Sequence, residues 1–165
     1  MTNLSRGLLL LEDEDFTLVE NQAKTFHLSH TVSGKYSIVM FYTDTCPQCS
    51  VLKPIVLYFV GDPLLQICLV NVYDSDSQNI IPMSLKSTTP LEYVPFIVFY
   101  VNGLPFKIFD GESTLLNFKN FILQTIQEAD QIPTDTAAQQ SEIPSYTLGK
   151  PKSSKVCYLT YEKAY

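Results

Sequence analysis

Val39-Met40-Phe41-Tyr42-Thr43-Asp44-Thr45-Cys46-Pro47-Gln48-Cys49 decides how the rest of the chain is read. Its opening residues continue Ser37-Ile38 into a run of β-branched and aromatic side chains, the composition of a well-buried strand. After Cys49, the apolar residues Val51, Leu52, Ile55, Val56 and Phe59 recur at helical spacing; Pro54 predicts a kink, and Gly61-Asp62-Pro63 predicts the stop. Cys46 is thereby placed where a strand hands over to a helix. Unpaired amides and the positive end of the dipole at a helix N-terminus stabilise a thiolate, the nucleophilic form of cysteine. Cys46 is therefore the expected attacking thiol. Cys49, one helical turn on, is positioned to resolve a mixed disulfide by attacking the sulfur of Cys46. The same Cys-X-X-Cys spacing also occurs in zinc sites, and two inert thiols would look no different.

Outward from this stretch, Leu8–Leu11 reads as a short buried strand and Ile67–Tyr73 as another. Between Leu11 and Ser37 two readings compete. Phe16, Val19, Ala23 and Phe26 fit a helical stripe, which is preferred, whereas Phe16–Val19 and Thr25–Leu28 around Glu20-Asn21-Gln22 fit a hairpin. Asp74–Pro90 is a polar connection with room for one short helix around Ile80–Leu85. Phe96–Val101, Asn102-Gly103 and Phe106–Phe109 predict a β-hairpin, because Asn-Gly supplies the positive φ values of a type I′ turn. Leu115, Phe118, Phe121, Ile122 and Ile126 then line one face of a final helix. From Gln131 to about Ser145, Pro, Thr, Ser, Gln and Ala dominate, the composition of a linker. Lys155–Tyr161 alternates as a strand does.

The expected architecture is α/β, with a central mixed sheet flanked by helices over residues 1–130. Residues 131–165 form a linker and tail, with packing as an extra strand an open possibility. The 165 residues suit one core. A net charge of −6 offers no basic field for nucleic acid or an anionic membrane. Leu8–Leu11 is too short for a signal sequence, and no apolar run has the length of a membrane span, so a soluble, cytoplasmic protein is expected. In a reducing compartment a close cysteine pair points to catalysis or metal rather than to a structural staple.

The order strand, Cys-X-X-Cys, helix, strand, connection, Pro-initiated hairpin, helix resembles the thioredoxin family over roughly Leu8 to Ala129. The resemblance rests on Val39–Cys49, on Pro54, and on Val94-Pro95-Phe96-Ile97-Val98-Phe99. It implies a thioredoxin fold with a cis Val94-Pro95 bond beside the cysteines, Val94 pairing its backbone with an extended substrate, and Pro95 keeping metals away from the thiols. It further implies that Gly111 admits a close partner. With Pro47 and Gln48 between the cysteines, these are the expected substrate-binding positions. The implied activity is protein-disulfide oxidoreduction by Cys46 and Cys49, with no cofactor and no metal. Its partners are disulfide-containing proteins and a reductase or oxidant that recycles the pair.

The departures are equally specific. Met40 stands where the family carries a buried Asp, Thr45 where it carries Trp, and Pro-Gln where it carries Gly-Pro. A proline after the first cysteine also occurs in glutaredoxins, but their Gly-Gly turn is missing, so a glutathione site is not supported. Asp44 is read as a solvated carboxylate ahead of a proton-transfer group. The Phe-Tyr strand end and the tail Val156–Tyr161 resemble thioredoxin-like proteins encoded by large DNA viruses, which implies a place in host cytoplasm or virion.

Four features have blander readings. His27 and His30 would complete a Cys2His2 zinc set with the cysteine pair, but ordinary histidines are preferred. Cys68 is read as a small buried hydrophobe. Cys157 is read as an unreactive tail thiol in preference to a partner of Cys46 in a mixed disulfide. The tail, with Tyr146, Tyr158, Tyr161 and Tyr165, also suits an added strand on this or a second copy, giving a homodimer or a binding scaffold with a vestigial or regulatory cysteine pair.

Overall fold

The computed structural model describes residues 7–131 and 156–159. Along the chain come β1 (Leu9–Leu10), β2 (Phe16–Glu20), β3 (Phe26–His30), β4 (Tyr36–Tyr42), α1 (Pro47–Leu57), β5 (Leu65–Asn71), α2 (Ile80–Leu85), β6 (Tyr93–Val94), β7 (Phe96–Val101), β8 (Leu104–Ile108), α3 (Leu115–Asp130) and β9 (Cys157–Tyr158). Five of these make the main sheet in the order β1-β5-β4-β7-β8. β5 runs parallel to both β1 and β4, while β7 runs antiparallel to both β4 and β8. A mixed sheet with three α-helices is therefore present.

Strands β4, β5 and β7 are apolar almost throughout because they are covered on both faces. The alternation along β7 shows what covers each side. Phe99 faces Tyr36 and Phe121 of α3, whereas Tyr100 turns to the opposite face, where its hydroxyl donates to the Leu28 carbonyl 3.0 Å away and its ring meets His30. The helical face is closed by an aromatic cluster in which Phe118 touches Phe59, Phe109 and Phe121. Thr114 caps α3 by accepting from the Asn117 amide at 3.1 Å. Phe118, Ile122, Thr125 and Ala129 form the buried stripe of that helix, and Leu115, expected on it, is exposed.

The preference for a helix around residues 16–26 is overturned. Phe16–Glu20 and Phe26–His30 are antiparallel strands in register Phe16↔His30 to Glu20↔Phe26. The turn between them is built by Asn21, whose side-chain oxygen accepts from the amides of Ala23 and Thr25 at 2.9 and 3.0 Å, and by Lys24 at φ +67°. An Asx-type turn competes with helical hydrogen bonding over the same residues, and the hairpin gains by covering the second sheet face. There Phe16 packs on Phe41 with ring centroids 5.8 Å apart.

The expected turn at Asn102-Gly103 is observed, with both residues at positive φ (53° and 84°). It also ties the β2–β3 hairpin to the sheet, because the Gly103 carbonyl accepts from the His30 amide at 3.0 Å and from the Ser29 hydroxyl at 2.8 Å. A Cβ on Gly103 would lie 2.6 Å from the His30 carbonyl oxygen, while one on Gly61, also at positive φ, would meet open space. Gly61→Ala is expected to cost about 1–2 kcal/mol of left-handed strain. Gly103→Ala is expected to cost that plus the contact, so its urea midpoint falls clearly further; equal losses would contradict the close approach.

Candidate functional site

Cys46 is the N-cap of α1, in extended conformation (φ −91°, ψ 115°), and Pro47 occupies the first helical position, where its fixed φ and missing amide suit the start of a helix. The apolar β4 delivers the chain to this point and the buried Leu52 and Val56 hold the helix to the core. The Cys49 amide donates to the Cys46 carbonyl at 3.1 Å, fixing the two cysteines within one turn. Both are buried, Pro47 is exposed and Gln48 is half-buried.

Opposite them lies β6. The Val94-Pro95 peptide is cis, as the resemblance implies, Val94 is fully buried, and its carbonyl oxygen is 3.7 Å from Cys46 Sγ. Gly111 lies in the loop between β8 and α3, exposed, with the Phe109 ring 3.1 Å from the place a Cβ would take.

The tail enters here, correcting the reading of Cys157 as an unreactive thiol. Cys157 is disulfide-bonded to Cys46, with Cα atoms 6.0 Å apart and a sequence separation of 111. Around the bond, β9 runs antiparallel to β6 in register Tyr93↔Tyr158 and Val94↔Cys157, and the Leu159 amide donates to the Glu92 carbonyl at 3.0 Å. The Tyr158 ring meets Tyr93 edge-on at 6.4 Å and Leu159 is buried. The tail strand thus pairs with the segment before Pro95, as a two-stranded ladder separate from the main sheet. Residues 132–155, most of the expected linker, and residues 160–165 lie outside the described residues. Tyr93, Glu92 and Leu159 were not singled out from sequence. The alternation Val156-Cys157-Tyr158-Leu159 was a visible signal of a strand, but a two-residue pairing across more than sixty positions leaves no local trace.

Cys49 and Cys68 carry free thiols. Burial pushes the Cys49 thiol up; a backbone hydrogen bond at Thr43 and the charge of Lys53 pull it down, and Asp44 pushes it up. Lys53 itself sits over the Tyr42 ring at 4.4 Å. Asp44 is exposed and accepts from Asn71 Nδ2 at 3.1 Å. Met40 is completely buried, so β4 offers Cys49 no carboxylate there.

No protein-family model matches the chain. In sequence it is 37% identical over 139 residues, 84% of its own length and 79% of the other's, to "Uncharacterized protein 196R" of Invertebrate iridescent virus 6. The chain belongs to the family of that iridovirus protein. Among solved structures it is similar to an N21Q mutant thioredoxin from Halobacterium salinarum NRC-1, with 17% identity, a TM-score of 0.48, and coverage of 73% of this chain and 92% of that one. It is also similar to human ERp44, with 16% identity, a TM-score of 0.46, and coverage of 55% of this chain and 27% of that one. The fold is thioredoxin-like on its own topology, with the Cys-X-X-Cys helix between parallel β4 and β5 and the cis-proline leading into antiparallel β7 and β8.

Elsewhere the side chains singled out in the sequence have structural roles. Burial lifts the Cys68 thiol to about 12, consistent with a small core residue. His27 Nδ1 is 3.1 Å from the Thr88 hydroxyl. His30 lies beside Ser37, at the end of β4 away from Cys46. Three positions apart along the strand, the two histidines point to opposite faces of β3. They do not converge with the cysteines. Among the described residues no group of three or more His, Cys, Asp or Glu is arranged to hold a metal ion. No helix there is long and apolar enough to cross a membrane.

His30 Nδ1 accepts from the Val32 amide at 3.1 Å, so the neutral ring carries its proton on Nε2 and donates to the Ser37 hydroxyl at 2.7 Å. Burial lowers its pKa to about 4, against a smaller upward pull from Asp15. Between pH 6.5 and 4 the unfolded chain takes up a proton that the fold refuses. Stability that is full above pH 6.5 is then lost as pH falls through this window. Denaturant titrations are expected to show a loss approaching roughly 3 kcal/mol by pH 4 that His30→Gln lacks. Parallel pH profiles for the two chains would show that His30 is not responsible.

Proposed function

We propose that this protein is a thiol-disulfide oxidoreductase that works through the Cys46/Cys49 dithiol on extended segments of disulfide-containing proteins. The observation that carries the proposal is the setting of Cys46: at the N-terminus of α1, beside a cis-proline, and joined to a sulfur presented on a strand paired with Tyr93–Val94. A sulfur delivered on a paired strand is the geometry that disulfide exchange with a protein substrate requires.

In the proposed cycle a substrate segment pairs with Tyr93–Val94, flanked by Pro47, Gln48, Pro95 and Gly111. The Cys46 thiolate attacks one sulfur of the substrate disulfide, and the other sulfur leaves as a thiolate and takes up a proton. Cys49 loses its proton and attacks Cys46, forming Cys46–Cys49 and releasing the substrate as a dithiol. A reductase returns the pair to two thiols; run backward, with an oxidant as recycling partner, the same steps form disulfides. Direction follows from the potential of the couple against its surroundings. Burial of Cys49 with no carboxylate beneath it makes the second attack the slower one at neutral pH, because the thiolate is the reactive form.

A second reading, a thioredoxin-fold binding protein with a regulatory cysteine pair, is favoured by one observation: Met40 fills the position where a buried acid would help deprotonate Cys49. Cys157→Ser isolates the Cys46/Cys49 pair for a decision. Equilibrated in glutathione buffers, alkylated and mapped by mass spectrometry, this variant is expected to show a reversible two-electron Cys46–Cys49 transition between roughly −120 and −270 mV. Thiols that stay unpaired across that range would leave the binding-protein reading.

A further inference from the structure

We propose that Cys157 is a third redox cysteine, seated as an intramolecular substrate: the tail closes over Cys46 in a mixed disulfide, and Cys49 opens it by exchange. This rests on the oxidoreductase reading and extends it to the control of the same site.

Three independent features distinguish a seated segment from a thiol that happened to collide. Backbone pairing runs from the sulfur-bearing residue onward, through Val94↔Cys157, Tyr93↔Tyr158 and the Leu159 amide on the Glu92 carbonyl. Side chains are matched as well, with Tyr158 edge-on to Tyr93 and Leu159 buried at 8% exposure. Finally, Cys46 is only 2% exposed, so a second protein cannot approach its sulfur while the tail is in place. The segment Cys157-Tyr158-Leu159 therefore occupies the strand position that the proposed cycle gives to an external substrate. Its chemistry, a cysteine followed by an aromatic and then an aliphatic residue, also describes the external segments best able to displace it.

The exchange is balanced within the chain. The Cys49 thiolate, its proton passed to solvent, attacks Cys46 Sγ; the Cys46–Cys157 bond breaks and the Cys46–Cys49 bond forms. Cys157 leaves as a thiolate and takes up a proton. One disulfide replaces another, so the step needs no oxidant or reductant. Closing is the reverse, and because attacker and target share a chain it is independent of protein concentration. Burial keeps Cys49 predominantly a thiol at neutral pH, so opening accelerates as pH rises. The outcome is a chain that stores its oxidised state under its own tail, protected from outside thiols.

The test uses the full-length chain, equilibrated in mildly oxidising glutathione, acid-quenched, alkylated and mapped without reduction. The Cys46–Cys157 peptide pair is expected within monomers, and Cys49→Ser is expected to leave it as the sole Cys46 disulfide between protein cysteines. Leu159→Asp is expected to lower the ratio of Cys46–Cys157 to Cys46–Cys49 at least tenfold, with Leu159→Ala intermediate. Cys157→Ser is expected to let the reduced protein react at Cys46 at least tenfold faster with a synthetic disulfide-linked peptide than the tail-closed full chain does. Absence of the linked pair, its appearance only between two chains, or a ratio unmoved by Leu159→Asp would overturn the seated tail. A Cys46–Cys49 couple persisting in Cys157→Ser would then leave the oxidoreductase reading standing. Loss of that couple with the linked pair intact would overturn that reading and the exchange step with it.

Discussion

Strand β4 is paired along both edges, to β5 and to β7, and is buried on both faces, so its path is constrained from four directions. The chain leaves it at Tyr42 and enters α1 at Pro47, and the residue at the handover is Cys46. The position of the sulfur is therefore set by the best-packed part of the molecule. Because β7 is the antiparallel neighbour of β4, with Phe41↔Phe96 in register, the residues just before β7 arrive beside the same handover. That places Val94 and the cis-proline against Cys46 without any contact specific to the site having to hold them there.

Covering both faces of β4 also explains the rest of the architecture. One face takes α1, α3 and their aromatic cluster; the other takes the β2–β3 hairpin, anchored by Gly103 and Tyr100. The polar groups carried into that second layer are paired: His30 with Ser37 and the Val32 amide, Ser29 with Gly103, Tyr100 with Leu28. A polar group buried without a partner costs more than a hydrogen bond returns, so His30 acts here as a structural hydrogen-bonding residue.

The chemistry of the site is a balance between exposure and protection. Cys46 stands at a helix N-terminus within the disulfide, while burial disfavours the thiolate at Cys49. The backbone of Tyr93–Val94 is paired by an extended segment, and that segment is the protein's own tail. Family membership with an iridovirus protein places the chain among relatives of a large DNA virus protein.

From sequence alone, the strand–Cys-X-X-Cys–helix junction, the Asn-Gly hairpin, the short helix at Ile80–Leu85 and the final helix were legible. Each is encoded by local signals: burial period, turn chemistry and caps acting over a few residues. The β2–β3 hairpin was misread because Phe16, Val19, Ala23 and Phe26 fit a helical stripe over the same residues as the two short strand-like stretches, and only the empty face of the sheet, a tertiary demand, decides between them. Cys157 was misread for the same kind of reason. A cysteine in a short alternating tail has no local feature that names its partner, since a disulfide spanning 111 residues depends on where β6 and Cys46 come to rest in space. Local physics thus determined the elements and the placing of the Cys46/Cys49 pair, whereas which surface they cover, and which thiol meets Cys46, was decided by packing.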